Sequence, residues 1–89
     1  MGYNTKITMY NFTFDAKKFS KAVKMKRTIE EVLTTAQAAI HLGISPSELN
    51  RIESGKRPGL DDYARLCAWI EKPMTDFVSV SKATAHTRN

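Results

Sequence analysis

The stretch LTTAQAAIHLGISPSELNRIESGKRP, residues 33–58, decides the fold. Thr34 and Gln37 have the spacing of a capping box, in which a threonine hydroxyl and a glutamine side chain pair with backbone N–H groups at a helix start. This box predicts a short helix from Thr35 to Leu42. Gly43 follows at the position where a left-handed residue ends a helix at little cost.

A second helix start follows closely in the same stretch. Ser45 is a suitable N-cap, Pro46 suits the first helical position, and Glu48 completes the spacing of a second capping box. Apolar residues three positions apart predict one buried side, and Gly55 ends the helix. Two short helices joined by a tight turn that contains a glycine make a helix-turn-helix.

Another helix is predicted upstream of this stretch. Asp15 is a suitable N-cap, and Phe14 can pack on Phe19 as a hydrophobic staple. The helix ends either near Arg27 or towards Val32, because the spacing of its apolar stripe slips. The stripe consists of Phe19, Val23, Ile29 and Leu33.

Two further helices are predicted downstream. The first is amphipathic and runs from about Leu60 to Ile70, and Pro73 then begins a short last helix that packs Met74 and Phe77 inward. The final residues, 79–89, are polar and lack periodicity, so we expect them to be frayed. The buried stripe of the amphipathic helix is predicted to be Leu60, Tyr63, Leu66, Cys67 and Ile70.

The residues before the first helix, MGYNTKITMYNFTF, suit an extended arm or a short strand. Their apolar side chains either fold back on the core or cover a partner subunit. The predicted organisation is an N-terminal arm at residues 1–14, a helical domain at 15–77 and a polar C-terminal tail at 78–89. The predicted fold class is all-α with five helices.

Length and charge narrow the class of protein. The 89 residues fit one domain, and their net charge of +5 favours anionic partners such as nucleic acid, with a solvated basic face on the first helix as the alternative. The charge is +6 over residues 1–27, −3 over 28–55 and +2 over 56–89. No apolar stretch is long enough for a membrane span, and no secretory signal is present. The single cysteine, Cys67, fits a cytoplasmic localisation.

The pattern G-I-S-x-x-x-L-x-R-I-E-x-G-K-R-P at residues 43–58 resembles the Cro/cI-type helix-turn-helix domains of phage repressors. LDDYARLCAWI at 60–70 and PMTDF at 73–77 extend the resemblance, which covers residues 15–77. It implies a five-helix, lambda-repressor-like fold that binds specific sequences of double-stranded DNA, usually as a homodimer, with its third helix in the major groove. Glu71 stands where this family usually has a helix-ending glycine.

The family's base-contacting positions fall on Pro46, Ser47, Asn50 and Arg51. Pro46 offers at most an apolar contact with a thymine methyl, and Ser47 can hydrogen-bond to several bases. Asn50 can pair with adenine and Arg51 with guanine through two hydrogen bonds each, at about 1–3 kcal/mol of discrimination. We therefore expect Asn50 and Arg51 to determine the sequence preference.

The resemblance also implies phosphate contacts and a structural ion pair. The phosphate positions fall on Thr35, Ser54, Lys56 and Arg57, whose hydroxyls and cations suit phosphate oxygens. Arg27 and Glu53 match positions that form an ion pair between the first and third helices. Two exposed charges are the alternative for this pair.

No group of residues argues for an enzyme. Asp61 and Asp62 fit a helix N-terminus, where carboxylates are favoured. His41 and His86 have no cysteine or carboxylate at ligand spacing, and Cys67 fits a small core residue. We expect no catalytic residues, no metal and no cofactor.

These observations predict a transcriptional regulator, specifically a repressor that occupies an operator as a homodimer and has no membrane partner. The alternative is a protein-binding adapter or antitoxin-like module with weak DNA binding, motivated by the apolar arm at residues 7–14. The candidate dimer surfaces are Phe12 with Phe14, Trp69, and residues 77–80.

Overall fold

The computed structural model describes residues 4–88, with side chains described from Ile7 to Thr84. It contains two long strands that flank four helices. A single π turn follows the first helix, and a single 3-10 turn precedes the second strand. The elements in chain order are β1 (Asn4–Phe14), α1 (Ala16–Met25), the π turn (Lys26–Glu30), α2 (Thr35–Leu42), α3 (Pro46–Glu53), α4 (Leu60–Ile70), the 3-10 turn (Met74–Asp76) and β2 (Val78–Arg88).

The predicted all-α, five-helix fold is wrong, because the described residues form four helices and a two-stranded antiparallel sheet. The fifth helix expected after Pro73 is one 3-10 turn, in which the Asp76 N–H donates to the Pro73 carbonyl at 3.0 Å. The chain leaves this turn at Phe77 and enters β2 at once. It has no room there for a longer amphipathic helix.

The residues expected to fray also form regular structure. Residues 79–88 belong to β2, which pairs with β1 in a register that joins Phe14 to Val78, Phe12 to Val80 and Tyr10 to Lys82, and Asn89 lies outside the described residues. We call this pair of strands the ribbon. The prediction failed because β2 lacks a strong pattern of its own, and its partner lies at the other end of the described chain.

The helix boundaries follow the predicted caps. The Asp15 carboxylate accepts from the Lys18 N–H at 3.0 Å, and the Ser45 hydroxyl accepts from the Glu48 N–H at 3.1 Å. At α2, Thr34 and Gln37 form the complete capping box. The predicted bounds of α2 and α4 are confirmed to the residue. α1 ends at Met25, the earlier of the two expected alternatives, and continues as the π turn.

The helices pack around one apolar core, and the base of the ribbon joins it. Phe14 packs edge-to-face on Phe19 and Tyr63, with ring centroids 5.6 and 5.4 Å apart, so the predicted staple is confirmed. Three residues expected in the core are exposed: Ile29 at 66%, Leu60 at 75% and Met74 at 37%. Ile29 lies in the π turn, whose wider winding changes the phase of the stripe, and Leu60 is the first residue of α4. The core consists of Phe19, Val23, Ala38, Ala39, Leu42, Leu49, Ile52, Tyr63, Leu66, Cys67, Ile70 and Phe77.

Candidate functional site

The turn between α2 and α3 fixes how α3 is presented. Gly43 adopts a left-handed conformation at φ +70°, which a residue with a side chain rarely takes. The Ile44 N–H then donates to the Ala39 carbonyl at 3.1 Å, which closes the end of α2. Leu49 and Ile52 anchor α3 in the core. The opposite side of α3 is therefore held in a fixed orientation towards solvent.

That exposed side carries the four predicted base-contacting residues. Pro46, Ser47, Asn50 and Arg51 are all exposed, and they occupy successive turns of one side of α3. We call these four residues the α3 edge. Asn50 and Arg51 are thus on the surface of the monomer, where a groove of duplex DNA can reach them.

Two local contacts hold the α3 edge in the unbound chain. An Arg51 guanidinium nitrogen lies 3.4 Å from a Glu48 carboxylate oxygen, and the Ser47 and Ser45 hydroxyl oxygens lie 3.2 Å apart. The predicted second capping box forms only in part: the Ser45 hydroxyl accepts from the Glu48 N–H, but the Glu48 carboxylate faces Arg51. The exposed pair is weak, so Arg51 can exchange Glu48 for another acceptor at small cost.

The four predicted phosphate-contacting residues differ in their surroundings. Thr35 is half-buried at the first position of α2, and Lys56 is exposed just after α3. The Ser54 hydroxyl donates to the Asn50 carbonyl at 2.7 Å, so its proton is already used. The Arg57 guanidinium lies over the rings of the ribbon residue Phe12, 5.3 Å from the centroid, and of Phe14 at 5.8 Å.

Arg27 and Glu53 connect the π turn to the end of α3. Two Arg27 nitrogens donate to the two Glu53 carboxylate oxygens at 2.7 and 2.8 Å, and a third bond runs to the Leu33 carbonyl at 3.0 Å. The side chains are only 14% and 8% exposed. The hydrogen bond to Glu53 raises the pKa of Arg27, with a smaller opposing effect of burial. The Arg27–Glu53 pair therefore restrains the end of α3, and neither side chain is directed towards a ligand in solvent.

Two ionisable residues of the core, Tyr63 and Cys67, contribute to its packing. Burial raises the pKa of Tyr63 to about 12, and the Tyr63 hydroxyl donates to the Met74 carbonyl. Burial also raises the pKa of the Cys67 thiol, which makes it a poor nucleophile. Among the described residues no three His, Cys, Asp or Glu side chains cluster as metal ligands, and the side chain of His86 lies outside them.

Sequence reasoning missed the ribbon and the groove beside it. A groove of about 430 Å³ opens between the base of the ribbon and the start of α4, with Phe12, Val80, Leu60 and Met74 among its apolar lining residues. The alternation of apolar and polar residues in β1 pointed to a strand. No local pattern indicated that β2 would pair with it.

One comparison with known protein families gives a match to the helical part of the chain. A family model described as a helix-turn-helix domain matches residues 27–70, from Arg27 in the π turn to the last residue of α4. No curated protein and no solved structure matches the chain. Over residues 27–70 the chain is therefore similar to a helix-turn-helix domain, and α2, the turn at Gly43 and α3 follow each other in the order of that motif. Within the described residues, no helix is both long enough and apolar enough to cross a membrane.

Proposed function

We propose that this protein is a sequence-specific transcriptional regulator that binds double-stranded DNA as a homodimer and represses by occupying its operator. The observation that carries this proposal is that the whole α3 edge is exposed, while Leu49 and Ile52 anchor the opposite side of the helix in the core. α3 is an α-helix, which with its side chains has a diameter of about 10–12 Å. The major groove of B-DNA, about 12 Å wide, accepts such a helix.

Sequence preference is assigned to Asn50 and Arg51. The Asn50 amide matches the donor and acceptor of adenine, and the Arg51 guanidinium matches the two acceptors of guanine. In the free protein Arg51 is held by Glu48, 3.4 Å away, which keeps the guanidinium on the α3 edge. Glu48 then also disfavours phosphates near α3, so the helix has to be aligned by other contacts.

Alignment on the duplex is assigned to the residues that flank α3. Lys56 is exposed and free to approach a phosphate, and Thr35 lies at the N-terminal end of α2, where backbone N–H groups favour anions. Arg57 can contact a phosphate in two ways: its guanidinium either stays over the Phe12 ring while it binds or leaves that ring. Lys56→Ala should weaken binding to all sequences and flatten the salt dependence by about one phosphate contact, which a binding titration at several salt concentrations measures.

The test begins with selection of bound duplexes from a random library. The enriched site is then titrated with the wild-type protein and with Asn50→Ala and Arg51→Ala. Each substitution should reduce affinity for the selected site by about 10- to 100-fold and relax one base position. Loss of discrimination without loss of non-specific binding is the expected signature.

Arg65→Ala is the matched control. Arg65 lies on α4 and contacts Asp62 three residues earlier at 3.3 Å, as Arg51 contacts Glu48 at 3.4 Å. Arg65→Ala removes the same charge from a similar surface pair but leaves the α3 edge intact, so it should retain sequence preference. Equal losses for Arg51→Ala and Arg65→Ala would refute the assignment of Arg51.

The alternative is a protein-binding adapter or antitoxin-like module, and the exposed apolar side chains of the ribbon favour it. Met9, Tyr10, Phe12 and Val80 all lie on the surface. If the library yields no enriched site, and Asn50→Ala and Arg51→Ala leave weak binding unchanged, the adapter function is supported and the repressor function is rejected.

A further inference from the structure

The chain exposes more surface than a monomer of its size normally does. Its accessible surface is 6285 Å², whereas a folded monomer of 10.0 kDa exposes about 5,200 Å². The excess is therefore about 1,000 Å². A standard protein–protein interface buries about 800 Å² on each partner. The surplus is thus the amount that one such interface would cover.

The ribbon accounts for this surplus. The radius of gyration is 18.5 Å against about 12 Å for a compact domain of this length, and the longest dimension is 66 Å. Strands of 11 residues extend about 36 Å, and the aromatic cluster at Phe14 fixes only their base to the core. A two-stranded ribbon is marginally stable in water unless it gains a further strand or a packed face.

The outer edge of β1 is the part of the ribbon best suited to gain a strand. The described residues form a sheet of two strands, so within them that edge has no neighbour. Residues 7–14, ITMYNFTF, contain no charge, no glycine and no proline, the usual features that keep an edge from pairing. Tyr10 is 68% exposed in the middle of this stretch. By contrast, β2 carries Lys82 opposite Tyr10.

We propose that β1 pairs antiparallel with β1 of a second copy, so that two ribbons form one four-stranded sheet in the order β2-β1-β1-β2. Such an interface is self-complementary, as a twofold dimer requires. A twofold axis near Tyr10 would bring the two tyrosines together and place Thr8 opposite Phe12. Aromatic and β-branched pairs of this kind stabilise neighbouring strands.

Charge supports this arrangement over pairing through β2. With β1 strands in the centre, the two Lys82 side chains lie on the outer strands, about 14 Å apart across the sheet. That separation exceeds the Debye length of about 8 Å at physiological salt, so their repulsion is screened. Pairing through β2 would bring the two lysines onto adjacent strands.

This inference deepens the homodimer part of the proposed function, and its test contains no DNA. Sedimentation velocity over a range of concentrations should give about 20 kDa for the wild type, twice the mass of 10.0 kDa. Tyr10→Glu should shift the protein to the monomer, since like charges on adjacent strands repel. The control is Ile40→Glu, which alters an apolar residue 80% exposed on α2 and should remain dimeric.

Circular dichroism of each variant separates dissociation from unfolding, because the helices are anchored without Tyr10. A wild type that is monomeric at all concentrations would overturn the proposal. So would a dimer that Tyr10→Glu leaves intact.

Cysteine cross-linking tests which edge is paired, since the native Cys67 is buried and wild-type protein serves as the background. Met9→Cys, Tyr10→Cys and Asn11→Cys are compared with Ser81→Cys, Lys82→Cys and Ala83→Cys, which stand opposite them in β2. Under mild oxidation at least one β1 variant should give a covalent dimer, because disulfides need Cα atoms within about 7 Å. Cross-links confined to β2, or none at all, would contradict the proposal.

Discussion

The helices share one apolar core and expose single apolar side chains such as Ile40 and Leu60, whereas the ribbon beyond Phe14 contributes no residue to that core and exposes Met9, Tyr10 and Phe12. The helical part is fixed by short-range contacts, such as the Thr34 capping box, and by one nearly buried ion pair. The ribbon depends on pairing between distant segments and on a few aromatic contacts at Phe14. The difference indicates that the helical part has a core of its own, while the outer ribbon has none.

The largest expected effect tests the ion pair of the helical part. Glu53→Ala leaves the Arg27 guanidinium without its carboxylate partner in a site where it is only 14% exposed. We expect a loss of about 3–5 kcal/mol in the free energy of unfolding, measured by urea denaturation. Glu48→Ala removes the exposed partner of Arg51 and should change stability by less than about 1 kcal/mol. Similar losses in both variants would show that Arg27–Glu53 behaves as a surface pair.

The next effect tests the attachment of the ribbon. Phe14→Ala removes the ring that contacts Phe19 and Tyr63, and should cost about 2 kcal/mol because this side chain is half-buried. Amide hydrogen exchange should show loss of protection in β1 and β2 while α3 stays protected. Phe12→Ala, at a mostly exposed position, is the control. Uniform loss of protection would mean that the two regions unfold as one unit.

A smaller effect concerns Tyr63, which lies between the two regions. Its pKa is raised from 10.0 to about 12, so the unfolded chain loses this proton first as the pH rises. The corresponding stability is present below pH 10 and is lost between about pH 10 and pH 12. Tyr63→Phe should cost about 1 kcal/mol at neutral pH through the lost bond to Met74, and should reduce the alkaline decline.

Thermal unfolding at several alkaline pH values measures that decline. An unchanged alkaline decline in Tyr63→Phe would assign it to other groups, Cys67 among them.

The smallest expected effect is a gain in stability. Val32 follows the π turn with φ +52°, a left-handed conformation that is strained for a β-branched residue, and it is exposed. Val32→Asn should stabilise the protein by about 1 kcal/mol, because asparagine tolerates this conformation and no burial is lost. Denaturant titration measures the change. Val78→Asn, in β2, should destabilise and serves as the opposite control.

Sequence predicted the helical part well where its signals are local. The caps at Asp15, Thr34 and Ser45 place helix starts, and each depends on residues within one turn. The prediction failed at Ile29, where the slip in apolar spacing after Val23 coincides with the π turn that changes the helical phase. β2 could not be predicted, since SKATAHT, residues 81–87, becomes a strand only through its pairing with β1.

In the candidate site, too, some features follow from local sequence and others depend on distant parts of the chain. The exposure of Asn50 and Arg51 follows from the apolar positions of α3, which the sequence already displays. The placement of Arg57 over Phe12 does not, because it depends on where the ribbon meets the loop after α3. The roles of these residues towards DNA stay predictions until binding is measured.

The pairing of Phe14 with Val78 has a consequence for how the chain matures. On the ribosome, β1 emerges before α1–α4 and waits until these helices and β2 have been synthesised. During this interval both of its hydrogen-bonding edges are open, and loop closure over the whole helical part delays its proper partner. A nascent chain in this state is prone to aggregate through ITMYNFTF. The rate at which the helices collapse therefore determines how long β1 stays exposed to aggregation.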